Sequence, residues 1–200
     1  MIYDQVSEFI SQFPVQQLER NDILYHQDDT PQFIYFIKKG LVGLFHITEN
    51  GKETFLRVFS DKAMLGHRSY FAEQNYHATA ICLSKTEIIK VPKEKCEEVC
   101  ATNPSFLKMV LKRVATDLAE AELRLSHIQD KTAKQRIAEA LLFLKLKYPD
   151  ITWTRKEIAE YSSSTHESVA RLMTELEELK IIKKIGRDFE ILDKDKLLHF

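Results

Sequence analysis

The 200-residue chain is poor in the residues that staple or punctuate a fold: three cysteines, five glycines and five prolines. The cysteines, Cys82, Cys96 and Cys100, are too few and too oddly numbered for a disulfide framework, which points to a reduced, cytoplasmic protein. No apolar run approaches the length needed to cross a bilayer. The first residues, MIYDQVSEF, hold neither a basic stretch nor an apolar one and do not read as a signal peptide. A nucleophile elbow, an H-E-x-x-H pair, a Walker loop and a chemically sensible acid pair are all missing, so no enzyme is expected.

What is present fits a soluble globular chain, with 44% hydrophobic residues, 30% charged residues and a formal net charge of -1. The charge is unevenly shared. Residues 1–130 carry 15 Lys/Arg against 18 Asp/Glu, and residues 131–200 carry 14 against 12. The weakly basic C-terminal part is compatible with nucleic-acid contact.

From about Ile23 to Val91 the chain consists of short runs rich in β-branched and aromatic residues: FIYFI, LVGLFHI, TFLRVF, ATAICL and EIIKV. Turn signals separate them, and TENGKET is the strongest, since Asn50-Gly51 predicts a type I′ hairpin with positive φ at both residues. This spacing reads as an all-β sandwich or roll. The pattern changes at Pro92. A short helix is predicted over 93–101, and a long one starts at Asn103-Pro104. Its apolar residues Leu107, Leu111, Val114, Leu118, Ala121, Leu125 and Ile128 fall at alternating four- and three-residue steps, a heptad seam that predicts pairing with a second copy. The alternative is a helix packed lengthwise on its own β-domain, as part of it is expected to be.

An amphipathic helix is expected over 133–147, carrying Ile137, Leu141, Leu142, Leu144 and Leu146 and ended by Tyr148-Pro149. A short helix from Arg155 to Tyr161 then leads through Ser162-Ser163-Ser164 to a helix from about Thr165 to Lys180. Thr165 is the expected N-cap. Val169, Leu172, Met173, Leu176 and Leu179 make the buried face, leaving His166, Glu167, Ala170, Arg171 and Thr174 outward. Such a polar N-terminal face suits a DNA major groove: Arg can fork onto guanine O6 and N7, and Glu can accept from cytosine N4. IIKKIGRDFEIL reads as a hairpin wing whose Lys183, Lys184 and Arg187 meet phosphates. The same two helices and wing also suit a protein-contact module attached to a small-ligand, metal or haem sensor.

The segment Arg155-Lys-Glu157-Ile158-Ala159-Glu-Tyr-Ser-Ser163-Ser-Thr165-His166-Glu167-Ser168-Val169-Ala170-Arg171 resembles, without a gap, the DNA-binding motif of the Crp/Fnr family of bacterial transcription regulators, R-x-[DE]-I-A-x-x-x-G-x-[ST]-R-E-[ST]-V-x-R. YFIKKGLVGLFHITENGKE matches the family's β-roll hairpin, and the similarity spans nearly the whole chain. The resemblance implies an α+β fold: a double-stranded, jelly-roll-like β-roll sensor over 1–103, a dimerisation helix over 104–130 and a winged helix-turn-helix over 131–200. It also implies a dimeric regulator reading a near-palindromic site, with double-stranded DNA, a second copy, RNA polymerase and a small effector as partners and no membrane.

By the same resemblance, Glu167 and Arg171 would read a G·C pair, with Arg155, Thr165, His166 and Ala170 beside them and Thr154 and Ser168 on phosphates. Ser163 replaces the motif's turn glycine, and His166 its first arginine. In the β-roll, Asn21 and Asp28 hold positions where glycine is frequent.

The stretch LGHRSYFAEQNYHATA falls where cyclic-nucleotide-binding members carry G-E-…-R-[ST]-A. Gly66 is kept, His67 replaces the ribose-binding Glu, Tyr76 the phosphate-binding Arg and His77 the Ser/Thr. With both charged anchors gone, ordinary cyclic AMP binding is not expected. Three readings stay open: Tyr76 and the histidines fill the old pocket; Arg68 and Ser69 help hold another small ligand; or His67 and His77 hold metal or haem. Cys96 and Cys100 share a helical face, as a thiol switch or as inert side chains. No cysteine precedes Cys82 in this sequence, so the N-terminal cysteine cluster that carries an iron–sulfur centre in oxygen-sensing relatives is absent.

Overall fold

Each of the five short runs rich in β-branched and aromatic residues becomes a strand that buries at least one face. In the computed structural model, which describes residues 2–51 and 53–200, the chain divides into two compact units between Glu120 and Ala121. The first begins with α1 (Ile2–Gln5), α2 (Ser7–Ile10), β1 (Val15–Leu18), β2 (Ile23–Tyr25) and β3 (Phe33–Lys39). Then follow β4 (Val42–Ile47), β5 (Glu53–Phe59), β6 (Met64–Leu65), α3 (His67–Phe71), β7 (Thr79–Cys82), β8 (Thr86–Pro92) and α4 (Lys93–Thr102). The strands make two four-stranded antiparallel sheets, ordered β1-β8-β3-β6 and β2-β7-β4-β5.

The β3 run FIYFI is apolar throughout, as expected for a strand buried on both faces. Tyr35 and Ile37 face the core with Leu24, Val42, Leu44, Phe59 and Ile88. Ile34 and Phe36 face the other way, onto Val6 at the N-cap of α2 and onto Ile10, Cys96, Phe106 and Val110 of the helices. After β3 the chain turns at Gly40, φ +110, where a Cβ would lie 2.6 Å from the Lys85 carbonyl oxygen; only glycine fits.

Several expectations need correcting. The turn at Thr48–Gly51 closes with a 2.8 Å bond from Gly51 N to Thr48 O, but only Gly51 has positive φ, so it is not type I′. Lys52 of that hairpin lies outside the described residues. The short β1, β2 and β6 and the helix α3 were not legible as separate elements. Gly66, at φ +80, turns the chain out of β6 into α3, so His67–Phe71 is helix rather than strand. Asn21 and Asp28 do take left-handed backbone, at φ 76 and 68.

The long helix α5 (Pro104–Asp130) packs its start on the β-roll through buried Phe106 and Val110. α6 (Ala133–Lys147), α7 (Arg155–Tyr161), α8 (His166–Glu178), the hairpin β9 (Ile182–Ile185) and β10 (Asp188–Ile191), and α9 (Lys194–Leu198) complete the chain. Thr132 and Thr154 open α6 and α7 with reciprocal capping boxes to Gln135 and Glu157, each N-cap contributing about 1 kcal/mol. Ile137, Leu141, Leu144, Trp153, Ile158, Val169, Leu172, Leu176 and Phe189 form the second core. Two residues expected inside are outside. Leu146 lies near the end of α6 and is 50% exposed, and Leu179 caps α8 beyond its last buried turn and is 54% exposed. Among the described residues no helix is long and apolar enough to cross a membrane.

Candidate nucleic-acid interface and sensor pocket

α8 begins at Thr165, whose hydroxyl accepts from Ser168 N at 3.1 Å and donates to Ser168 Oγ at 2.9 Å. Burial of Val169, Leu172, Met173 and Leu176 fixes the helix's rotation and turns His166, Glu167 and Arg171 to solvent. Among the described residues no hydrogen bond or ion pair within the chain engages these three side chains. Ala170 is half-buried between them. Arg155 is exposed on the first turn of α7.

Other expected contacts have work inside the protein. The Thr154 hydroxyl accepts from Glu157 N at 3.1 Å and donates to Glu157 Oε2 at 2.9 Å. Lys184 on β9 places Nζ 2.8 Å from Glu177 Oε2 and 3.2 Å from Thr174 Oγ1, bracing the wing against α8. The Lys184 ammonium and backbone N–H hold the Glu177 carboxyl below its ordinary range. Lys183 and Arg187 are exposed, Arg187 beside Gly186 (φ 60) at the wing tip.

In the β-roll, the pocket residues are brought together but mostly turned to each other. The Tyr76 ring is buried, stacked on Tyr25 at 3.8 Å, and its hydroxyl donates to the Phe33 carbonyl at 3.0 Å. A Cβ on Gly66 would meet that Phe33 oxygen at 3.1 Å and the Tyr76 ring at 3.4 Å, so the kept glycine makes room for the tyrosine. Burial raises the Tyr76 phenol well above its ordinary pKa. His67 and Ser69 are buried and Arg68 is exposed. His77 is half-buried, and burial, followed by the charges of Arg68, His46, Arg57 and His67, pushes it down to about 4.

One group here was not visible in the sequence. Asp117 on α5 forms ion pairs through Oδ1 with Arg57 and, at 2.7 Å, with Arg113, while His67 Nε2 lies 3.4 Å from Oδ2. Arg57 also donates to the Asp117 carbonyl at 3.0 Å and lies 3.3 Å from Glu120. Burial alone would raise the Asp117 carboxyl; His67, Arg57 and Arg113 outweigh it and hold it low. The partners lie 4 to 60 residues apart in sequence, and no local motif signals them.

Among the described residues no group of three or more His, Cys, Asp or Glu is placed to hold a metal ion. Cys96 is buried, and burial pushes its thiol up to about 12; the Cys100 thiol is raised for the same reason, against the thiolate a redox switch uses.

A β-roll, a long helix and a winged helix-turn-helix with an open polar face have the architecture of a DNA-binding protein. Residues 15–103 match the cyclic nucleotide-binding domain and residues 135–200 the Crp-like helix-turn-helix domain. An uncharacterised Haemophilus influenzae protein is 37% identical over 101 residues, covering 50% of this chain and 78% of that one. The cAMP-activated global transcriptional regulator CRP of Salmonella typhimurium is 25% identical over 189 residues, 90% of each chain. The c-di-GMP-responsive regulator CLP of Xanthomonas campestris shares the fold at TM-score 0.82 and 15% identity, covering 94% of this chain and 98% of that one. The chain belongs to the Crp/Fnr family of transcription regulators and is a DNA-binding regulator.

Proposed function

We propose that this regulator works as a homodimer that reads a near-palindromic site, each α8 inserting Glu167 and Arg171 at a G·C pair with His166 beside them. The observation that carries this is the open N-terminal face of α8, held outward by a fully apolar opposite face. Arg155, Thr165, Ser168, Lys184 and Arg187 lie around it, with Thr154 and Ser168 serving first as helix-start groups.

The seam of Leu107, Leu111, Val114, Leu118, Ala121, Leu125 and Ile128 supports the dimer, since Leu111, Leu118 and Leu125 are 69%, 60% and 57% exposed in one chain. So long an apolar stripe on a lone helix calls for a partner. The β-roll acts without cyclic AMP: Tyr76 takes the space beside Gly66, and His67 turns to Asp117. In this reading 1–103 is the sensor-derived domain, 104–130 the dimerisation helix and 131–200 the DNA reader, in a cytoplasmic protein that meets RNA polymerase at promoters.

Selection of bound duplexes from a random pool tests the proposal. An enriched inverted repeat is expected, with Arg171→Ala losing about tenfold in affinity and preference at one base pair. A pool that stays random, or native affinity for Arg171→Ala, sinks it.

A further inference from the structure

The last carbonyls of a helix have no partner inside it and carry the negative end of its dipole. At the end of α7 three of them close locally. Ile158 accepts from Ser162 N at 2.9 Å, Glu160 from Ser163 N at 3.2 Å and Ala159 from Ser164 N at 2.8 Å. The latter two form the paired closure that needs a left-handed residue, usually glycine. Ser163 supplies it at φ 51, a conformation that disfavours any residue with a Cβ.

The turn's remaining carbonyls, those of Tyr161, Ser162 and Ser163, all go to two arginines from other helices. Arg136 of α6 donates Nε to Ser162 O at 3.0 Å and Nη2 to Ser163 O at 3.2 Å, while its Nη1 reaches Lys131 O at 2.7 Å. Arg124 of α5 donates Nη2 to Tyr161 O at 2.7 Å and lies over the Tyr161 ring, 4.6 Å from its centroid. That ring is stacked on Phe143 of α6 at 5.6 Å and 7°. The turn of the helix-turn-helix is thus gripped from α5 and α6 together.

We propose that Arg124 and Arg136 are positioning residues for DNA recognition. They hold the Ser163 turn in its left-handed form, and with it the angle at which α8 leaves α7, without touching DNA. The proposal rests on α8 being the DNA-reading helix. Ser163 lies two residues before the N-cap Thr165, so a small backbone rotation there swings the whole of α8. A guanidinium fork suits two adjacent carbonyls, which a lysine's single ammonium cannot span in the same geometry. All three nitrogens of Arg136 donate to backbone oxygens, which argues against a phosphate role. Arg124 sits on the helix that carries the apolar seam, so the same clamp links the seam's helix to the reader.

The test uses the full chain and its variants Arg136→Ala, Arg136→Lys, Arg124→Ala and Arg136→Ala/Ser163→Gly. Binding is measured to a selected duplex and to a random duplex across a salt series. Arg136→Ala should weaken selected-duplex binding about tenfold and leave random-duplex binding and the salt slope unchanged. Arg136→Lys should behave like the alanine variant, and Arg124→Ala should show a smaller loss of the same kind. Adding Ser163→Gly should restore most of the discrimination, since glycine takes the turn without strain.

A salt slope reduced by about 0.9 would make Arg136 a phosphate contact and overturn the proposal. So would equal losses on both duplexes, or no rescue by glycine. Should Arg136→Ala fail to fold by circular dichroism, Arg124→Ala decides by the same two-duplex comparison. Arg171→Ala serves as the control. If it too leaves selected binding intact, the reading of α8 fails; if it alone loses binding, the clamp fails.

Discussion

Both helices of the DNA-reading motif end on a left-handed residue other than glycine. Lys180 follows α8 at φ 56, with Lys180 N bonded to Glu177 O at 3.0 Å and Ile181 N to Leu176 O at 2.9 Å. Among the described residues no clamp like that on Ser163 covers it, and its side chain is exposed. Lys180→Gly should therefore raise stability by about 1 kcal/mol, seen as a Tm higher by a few degrees in thermal melts. DNA affinity should not change, because the proposed base-reading residues Glu167 and Arg171 lie at the other end of α8.

His77 gives a pH prediction at the same scale. Its folded pKa is pushed from 6.5 to about 4 by burial and neighbouring cations, so the unfolded chain binds the extra proton first. This contribution is fully present above the unfolded value and is lost as pH falls from 6.5 toward 4. Melts between pH 7 and 5 should show His77→Gln losing less stability on acidification than the parent chain; parallel curves would refute it.

At the scale of elements, α5 carries apolar residues on two different faces. Phe106 and Val110 bury against the β-roll, and the seam residues face away from that contact. Leu118→Asp would place a carboxylate in the proposed dimer seam and weaken self-association on the order of a hundredfold. Sedimentation equilibrium should then return the mass of one chain, and an unchanged mass would remove the seam from the interface. The Asp117 network sits on the β-roll side of the same helix, where Arg57 and His67 make a direct tie to α5.

For the whole molecule, the filled pocket predicts no response to cyclic AMP. With Tyr76 packed on Tyr25 and Gly66, and no arginine or carboxylate at the cassette's anchor positions, cyclic AMP should leave operator affinity unchanged. Fluorescence anisotropy of a labelled operator with and without the nucleotide reads this directly; tighter binding on its addition would show that the pocket opens. The net charge of -1 means that affinity must come from the local basic groups of the reader, not from the protein's overall field.

The sequence by itself determined the elements with a strong period or a sharp boundary. Helices 133–147 and 155–161 were legible because burial on a fixed face imposes spacing 3.6, and the runs in β3, β4, β5, β7 and β8 because β-branched and aromatic residues cluster there between turn signals. The same periodicity placed Glu167 and Arg171 on the open face of α8 and the seam on α5. It did not mark β1, β2, β6 or α3, which are two to five residues long and too short to show a period.

Only the tertiary structure decided what lies between elements. It showed that Leu146 and Leu179 fall past the ends of their cores, that Lys184 braces the wing, and that Tyr76 fills the space beside Gly66. It also joined Arg57, His67 and Arg113 at Asp117, and Arg124 and Arg136 at the Ser163 turn. Most of these contacts join residues tens of positions apart, and the long arginine side chains bond to backbone carbonyls. Every residue has a carbonyl, so nothing in the sequence of Tyr161-Ser162-Ser163 could announce which cation would reach it.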